Sequence, residues 1–349
     1  MRKSFVPSVS LCEIKNSNMT ILQVLKKNFI DDPIARTKRI YFDVFHWFGK
    51  HFPFLYAPFY YWWILRPMRI GKDGRVGMLQ VTSEFVYGCN LRCEFCSPFS
   101  PYLKGYIPAD ELLQSFAGWS KKIKPKYVVF SGGEPFLHPD LAHVLRESAK
   151  IWKDSKLWLT TNGLLLERAN PEVLQAIKAT GCELIITEHT FDPEHRKTLD
   201  SAYKRLKREG VRFCVRQSRT MWLALYQYDD TGRMIPYESD PKKAWNCCIY
   251  RQTMILWGDK MYKCTPLLHA DYSTQKGVLD AGLWKTALTY KPLTLESTPE
   301  EIVNHLRGRE IPECTICFEK PTVVPSRQLP LKSSACSESV ACPDGQGGV

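Results

Sequence analysis

Three closely spaced cysteines are the residues whose type and spacing point most directly to chemistry. Cys89-Asn-Leu-Arg-Cys93-Glu-Phe-Cys96 packs three thiols into eight residues. A loop this short wraps one face of a cubane iron–sulfur cluster, and three thiolates leave one of its irons without a protein ligand. An iron left open can take a substrate or cofactor, much as a catalytic zinc keeps one position free. A zinc site is the competing reading. Zinc motifs join a C-x2–4-C unit to a second pair, and Cys314-Thr-Ile-Cys317 lies downstream.

Further polar motifs follow at regular intervals. Ser131-Gly-Gly-Glu-Pro135 offers Gly132 and Gly133, which let a backbone approach a ligand closely, and Glu134, an acceptor for an ammonium group. Thr160-Thr-Asn-Gly163 is a polar turn, Thr187-Glu-His-Thr190 another, and Arg216 is a cation that needs an anionic partner if it points inward.

The elements that must carry these groups are legible as a rhythm. Short β-rich runs at Leu79–Tyr87, Tyr127–Ser131, Leu157–Thr161, Glu183–Thr187 and Arg212–Arg216 alternate with amphipathic stretches at Ala109–Ser120, Asp140–Trp152, Pro171–Ala179 and Glu194–Arg208. Continuous apolar strands separated by helices of this length predict parallel β/α units. Ligands of such folds are bound by loops at the C-terminal strand ends, which is where every motif above begins.

With the cysteine loop placed after the first strand and Phe95 before its third cysteine, residues 79–220 resemble the radical S-adenosylmethionine (SAM) superfamily. The resemblance implies a partial (β/α)6 barrel of parallel strands. It also implies a 4Fe–4S cluster on Cys89, Cys93 and Cys96 whose open iron holds the amino and carboxylate groups of SAM. Reductive cleavage of SAM would give a 5′-deoxyadenosyl radical that abstracts hydrogen from substrate. By the same resemblance Phe95, Gly132, Gly133, Glu134, Asn162, Thr187 and Arg216 would bind SAM, with a flavodoxin or ferredoxin as reductant. Thr187-Glu-His-Thr departs from the family's usual Ser-x-Asp-Gly, so Glu188 and His189 stand as ribose ligands or as catalytic groups facing substrate.

A second cysteine set follows: Cys247-Cys248, Cys264, Cys314 and Cys317. It resembles the shortened auxiliary domain called Twitch, related to SPASM domains, and implies a second 4Fe–4S cluster on Cys248, Cys264, Cys314 and Cys317. Adjacent thiols rarely reach one metal, so Cys248 is taken over Cys247. Gly258-Asp259 has the composition of a tight turn just ahead of Cys264. A structural zinc on these cysteines is the rival reading.

Composition bounds the rest. At 349 residues and 44% hydrophobic content the chain can build a sizeable core. Thirteen cysteines in a chain of this size, whose start lacks a signal-peptide pattern, point to thiolate ligands in a reducing cytoplasm. The net charge of +12 invites a nucleic-acid reading, but residues 1–78 hold 13 Lys and Arg against 5 Asp and Glu, a net of +8. The excess is therefore not interleaved through the barrel loops, which disfavours nucleic acid. The same region carries the aromatic run from Phe52 to Leu65, too short at 14 residues for a spanning helix. A cover over the main domain is the leading reading for it, ahead of a peripheral membrane contact through residues 39–70.

The expected organisation is a basic, aromatic extension over 1–78, helical at 19–30 and 36–50; a radical SAM core over 79–240; a small cysteine-rich domain over 241–324; and a Pro-, Ser- and Gly-rich tail over 325–349. The expected reaction is hydrogen abstraction from a small molecule followed by loss of an electron to the second cluster, turning an alcohol of a sugar or cyclitol-like substrate into a ketone. Epimerisation, with a thiol such as Cys214 returning a hydrogen atom, ranks second. Peptide modification ranks third, and a non-catalytic iron–sulfur or zinc protein last.

Overall fold

The computed structural model describes residues 67–189, 192–217, 222–248, 250, 253–320, 323–324 and 327–329. The expected N-terminal extension up to residue 66, its two helices and aromatic run, and the tail from 330 onward lie outside the described residues.

The β/α rhythm read from the sequence is the backbone of the fold. Strand β1 (Val76–Val86) is followed by helix α1 (Ala109–Ser120), β2 (Ile123–Gly132), α2 (Leu141–Ile151), β3 (Lys156–Thr161), α3 (Pro171–Thr180), β4 (Glu183–Glu188), α4 (Pro193–Arg208) and β5 (Phe213–Gln217). Each helix buries one stripe at helical spacing: Leu112, Phe116 and Trp119 on α1, Leu141, Val144, Leu145 and Ser148 on α2, and Leu199, Ala202 and Leu206 on α4. Helix α3 starts on Asn170, whose side chain accepts from Glu172 N, with Pro171 in the first turn, and it stops at Gly181 in the left-handed region. The strands are buried on both faces, with Val81, Phe85, Val128, Phe130, Leu159, Leu184 and Ile186 inaccessible to solvent.

After β5 come the short strands β6 (Trp222–Leu223), β7 (Gln227–Tyr228) and β8 (Met234–Ile235), then α5 (Pro241–Cys247), β9 (Thr253–Trp257), β10 (Lys260–Tyr262), α6 (Thr265–Gln275), α7 (Lys285–Leu288), β11 (Leu293–Thr294), α8 (Pro299–Arg307) and β12 (Val323–Val324). The main sheet has eight strands in the order β11-β10-β9-β1-β2-β3-β4-β5. Strands β1 to β5 are parallel, and β9 adds a sixth parallel strand beside β1. Six parallel strands form the partial α/β barrel that the resemblance implied.

Two boundaries differ from the sequence reading. The sheet runs past residue 240, because the apolar run Met254-Ile-Leu256 is buried against β1. Two residues, Gly258 at φ 57° and Asp259, then turn β9 into β10, the tight turn expected there. Residues 327–329 of the expected tail are also engaged: Gln328 forms a β-bridge with Cys93, Glu94 N donates to Arg327 O at 2.9 Å, and Leu329 N to Arg92 O at 2.7 Å.

Among the described residues no helix is long and apolar enough to cross a membrane.

Candidate active site

A β-bulge between Glu84 and Val86 redirects the end of β1 into the cysteine loop. The loop is held by neighbours on three sides. Leu91 N donates to Cys89 Sγ at 3.4 Å, and Asn162 Nδ2 lies 3.6 Å from the same sulfur and 2.7 Å from Asn90 Oδ1. Gln328 Nε2 donates to Cys93 Sγ at 3.2 Å while its Oε1 accepts from Arg92 N at 2.8 Å. Phe95 and Phe99 take positive φ values of 57° and 52°, which non-glycine residues adopt only where surrounding structure enforces it. Aromatic packing supplies the enforcement: the Phe95 ring lies 5.3 Å from Tyr226 and 5.5 Å from Tyr228, and Phe99 stacks on Tyr226 at 5.0 Å.

The glycine pair at the end of β2 also has a packing role. A Cβ on Gly133 would lie 2.0 Å from the carbonyl oxygen of Gly88, and one on Gly132 would lie 2.3 Å from that of Val86. These glycines let the end of β2 press against the backbone entering the cysteine loop, a contact closed by Gly133 N to Val86 O at 2.6 Å and Glu134 N to Gly88 O at 2.9 Å. Glu134 is fully buried. Its carboxyl accepts from Thr161 Oγ1 at 2.8 Å, Asn162 N at 2.9 Å and Phe136 N at 3.1 Å. Burial nevertheless outweighs these bonds and pushes its pKa up to about 7. A buried carboxyl in that state gains most from an incoming cation.

Cys89, Gly132, Gly133, Glu134 and Asn162 thus form one continuous network over the C-terminal ends of β1, β2 and β3. Thr187 sits opposite Arg216 in the β4–β5 register. Glu188 does not join them: it is buried, and its Oε1 accepts from Arg196 Nη1 at 2.8 Å and Tyr203 OH at 2.7 Å, so it ties α4 to the end of β4. Burial pulls the His189 imidazole down to about 4, which keeps it neutral near pH 7. Cys214 lies inside β5 opposite Ile185 rather than at the barrel mouth.

The second set comes together from distant segments. Cys248 follows α5, Cys264 precedes α6, and Cys314 and Cys317 belong to a 3-10 turn over Pro312–Ile316 and its end. All four line one cavity with Ala244, Leu267, Ile311 and Ile316 among its walls. Cys247 does not line it, and its Sγ donates instead to Glu319 O at 3.1 Å.

Burial raises the thiol pKa in both sets, to about 12 for Cys89 and Cys96 and well above the usual value for Cys264. Thiolates there need a compensating cation, and a bound metal centre supplies one while displacing the protons. Among the described residues no group of three or more His, Cys, Asp or Glu is arranged to hold a metal ion. The sulfurs nonetheless influence one another electrostatically, Cys96 with Cys89 and Cys93, and Cys264 with Cys248, Cys314 and Cys317. Thiol donors around a shared space suit a group broader than one ion, such as a cubane cluster.

Sequence reasoning missed the residues between the sets. Tyr250 is hydrogen-bonded through its hydroxyl to Ser97, next to Cys96, and to Thr265, next to Cys264. Thr265 Oγ1 donates to buried Glu84 at 2.6 Å, and His269 Nε2 meets the other Glu84 oxygen at 2.7 Å. A carboxylate near the end of an otherwise uncharged strand was the one available signal.

Residues 83–214 match the family model of the Radical SAM superfamily. This chain carries a radical SAM domain. Such a domain uses a 4Fe–4S cluster and SAM. The chain is 32% identical over 118 residues to GTP 3′,8-cyclase of Aquifex aeolicus strain VF5, covering 32% of this chain and 35% of that protein. It is 33% identical over 121 residues to GTP 3′,8-cyclase 1 of Mycobacterium tuberculosis strain CDC 1551, covering 32% of each. The chain spans about a third of the length of these curated relatives. Among solved structures, BtrN in complex with AdoMet and 2-DOIA is similar at 14% identity and a TM-score of 0.38, over 55% of this chain and 75% of that one. Streptococcus suis SuiB bound to its precursor peptide SuiA is similar at 9% identity and a TM-score of 0.31, over 65% of each chain.

Proposed function

We propose that this protein is a radical SAM oxidoreductase that abstracts hydrogen from an alcohol carbon of a sugar or cyclitol-like small molecule and passes the remaining electron to an auxiliary cluster. Cys89, Cys93 and Cys96 hold the first cluster, and Cys248, Cys264, Cys314 and Cys317 hold the second. When bound, the first cluster supplies the electron for reductive cleavage of SAM, replenished by a one-electron donor such as flavodoxin or ferredoxin.

The chain's own residues perform the positioning. Glu134, held by Thr161 and Asn162, offers a buried carboxyl to the SAM ammonium, and a cation there draws the carboxyl back to its charged form. Thr187 and Arg216, paired across β4 and β5, are assigned to the ribose and carboxylate ends of SAM in this reading. His189, neutral near pH 7, is available as a proton acceptor for the substrate hydroxyl.

The observation that carries the oxidative reading is the cavity lined by four thiols. Four protein ligands leave no open iron for a substrate atom, so electron transfer is the chemistry left to that centre. The cyclase relatives match about a third of this chain, and their substrate does not carry over with that match.

An anaerobic iron and zinc count on reconstituted protein, coupled to a dithionite-driven assay for 5′-deoxyadenosine, tests the proposal. About eight irons with nucleoside formation is the expected result. About four irons, one zinc and the same nucleoside would remove the electron acceptor, and absence of nucleoside would overturn the radical chemistry.

A further inference from the structure

Lys263 is a buried lysine whose amino group meets two carbonyls and an aromatic ring, none of which carries a net charge. It immediately precedes Cys264, is 5% exposed, and lines the same cavity as the four thiols. Its Nζ donates to Gly308 O at 3.0 Å and His305 O at 3.2 Å, and sits 5.1 Å above the Trp245 ring. Two carbonyls and a π face match the donor geometry of an ammonium group but carry no net charge. Burial disfavours its charged form, and Cys314, Cys264 and Cys248 favour that form when they are ionised. A buried ammonium is stabilised by an anion, so an anionic occupant of this cavity holds Lys263 in its charged form.

A 4Fe–4S cluster on four thiolates is such an occupant. It carries a net charge of −2 when oxidised and −3 after gaining one electron, so a fixed positive charge beside it favours the reduced form. We propose that Lys263 sets the reduction potential of the auxiliary cluster, raising it so that the cluster accepts an electron from substrate. The inference rests on the auxiliary-cluster reading above. The step is a one-electron reduction of the cluster core with no bond made or broken in the protein, and Lys263 acts by position without touching the reacting atoms.

The test is an equilibrium redox titration with dithionite, followed by electron paramagnetic resonance, on full-length reconstituted protein carrying Cys89→Ala, Cys93→Ala and Cys96→Ala. Only the second site can then hold a cluster. Lys263→Gln keeps a hydrogen-bond donor for the two carbonyls and removes the charge. It is expected to lower the reduction equilibrium constant at least tenfold, equivalent to 59 mV for a one-electron couple. Lys263→Arg keeps the charge and is expected to stay within about threefold of the parent. Equal potentials for parent and Lys263→Gln, or equal falls in both variants, would overturn the proposal. If Lys263→Gln does not load iron, Lys263→Met is titrated in its place, and failure of both neutral variants to load would assign Lys263 to assembly and refute the tuning role. A parent background that binds zinc or no iron would refute the auxiliary cluster itself, together with this inference.

Discussion

The two cysteine sets solve the same chemical problem from opposite ends. The first lies within eight residues of one loop and is shaped from outside, by glycine contacts from the end of β2, an asparagine from the end of β3 and the strap at Gln328. The second spans residues 248 to 317, is gathered only by the packing of α5, α6 and a 3-10 turn, and is shaped from inside by apolar walls and a buried lysine. A three-thiol loop leaves a position for a cofactor, whereas a four-thiol cavity closes its centre and limits it to electrons. On the proposed function, ligand count and enclosure, rather than residue type, separate a reactive site from a redox site.

Breaking the first site should have the largest effect. Cys93→Ala is expected to reduce 5′-deoxyadenosine formation to background while about four irons remain on the protein; normal nucleoside production by that variant would contradict the ligand assignment. Next in size, Cys317→Ala should halve the iron content yet retain SAM cleavage, with oxidised product lost. Collapse of the fold in that variant, seen as loss of its cooperative melting transition, would make the second metal structural.

Glu134 sharpens the comparison through pH. Its carboxyl keeps a proton up to about pH 7 in the folded protein, against an ordinary value of 4.5. Folding is therefore favoured by this group below pH 4.5, and the benefit is lost as pH rises through 7. Chemical denaturation of the cofactor-free protein should show Glu134→Gln gaining about 3 kcal/mol relative to the parent between pH 4 and pH 8. Parallel pH profiles for the two proteins would show that folding leaves the Glu134 carboxyl at its ordinary pKa. The smallest effect is expected at Cys247→Ala, whose thiol donates to Glu319 O outside the cavity. Iron content should be unchanged, and loss of about four irons would transfer the ligand role from Cys248 to Cys247.

Much of the core was legible because its determinants are local. Apolar strands, helix stripes and turn glycines repeat at fixed intervals, and the cysteine loop, Glu134 and Asn162 all follow strand ends. Where local pattern misled, a long-range partner had intervened. Glu188 looked free to face a ligand until α4 brought Arg196 and Tyr203 to it. The glycine pair reads in sequence as a place for a ligand to approach, and packing adds that Gly133 is required by the carbonyl of Gly88.

By itself the sequence determined the parallel β/α order, the first thiol set and the polar turns that crown the strands, since each depends on neighbours a few residues away. Tertiary structure alone decided that β9 enters the main sheet, that Gln328 reaches Cys93, that Tyr250 links the surroundings of the two cysteine sets, and that Lys263 is buried beside four thiols. Those outcomes rest on contacts between segments far apart in the chain. Spacing along the sequence records which residues are available, while packing decides which charges and thiols must share a space.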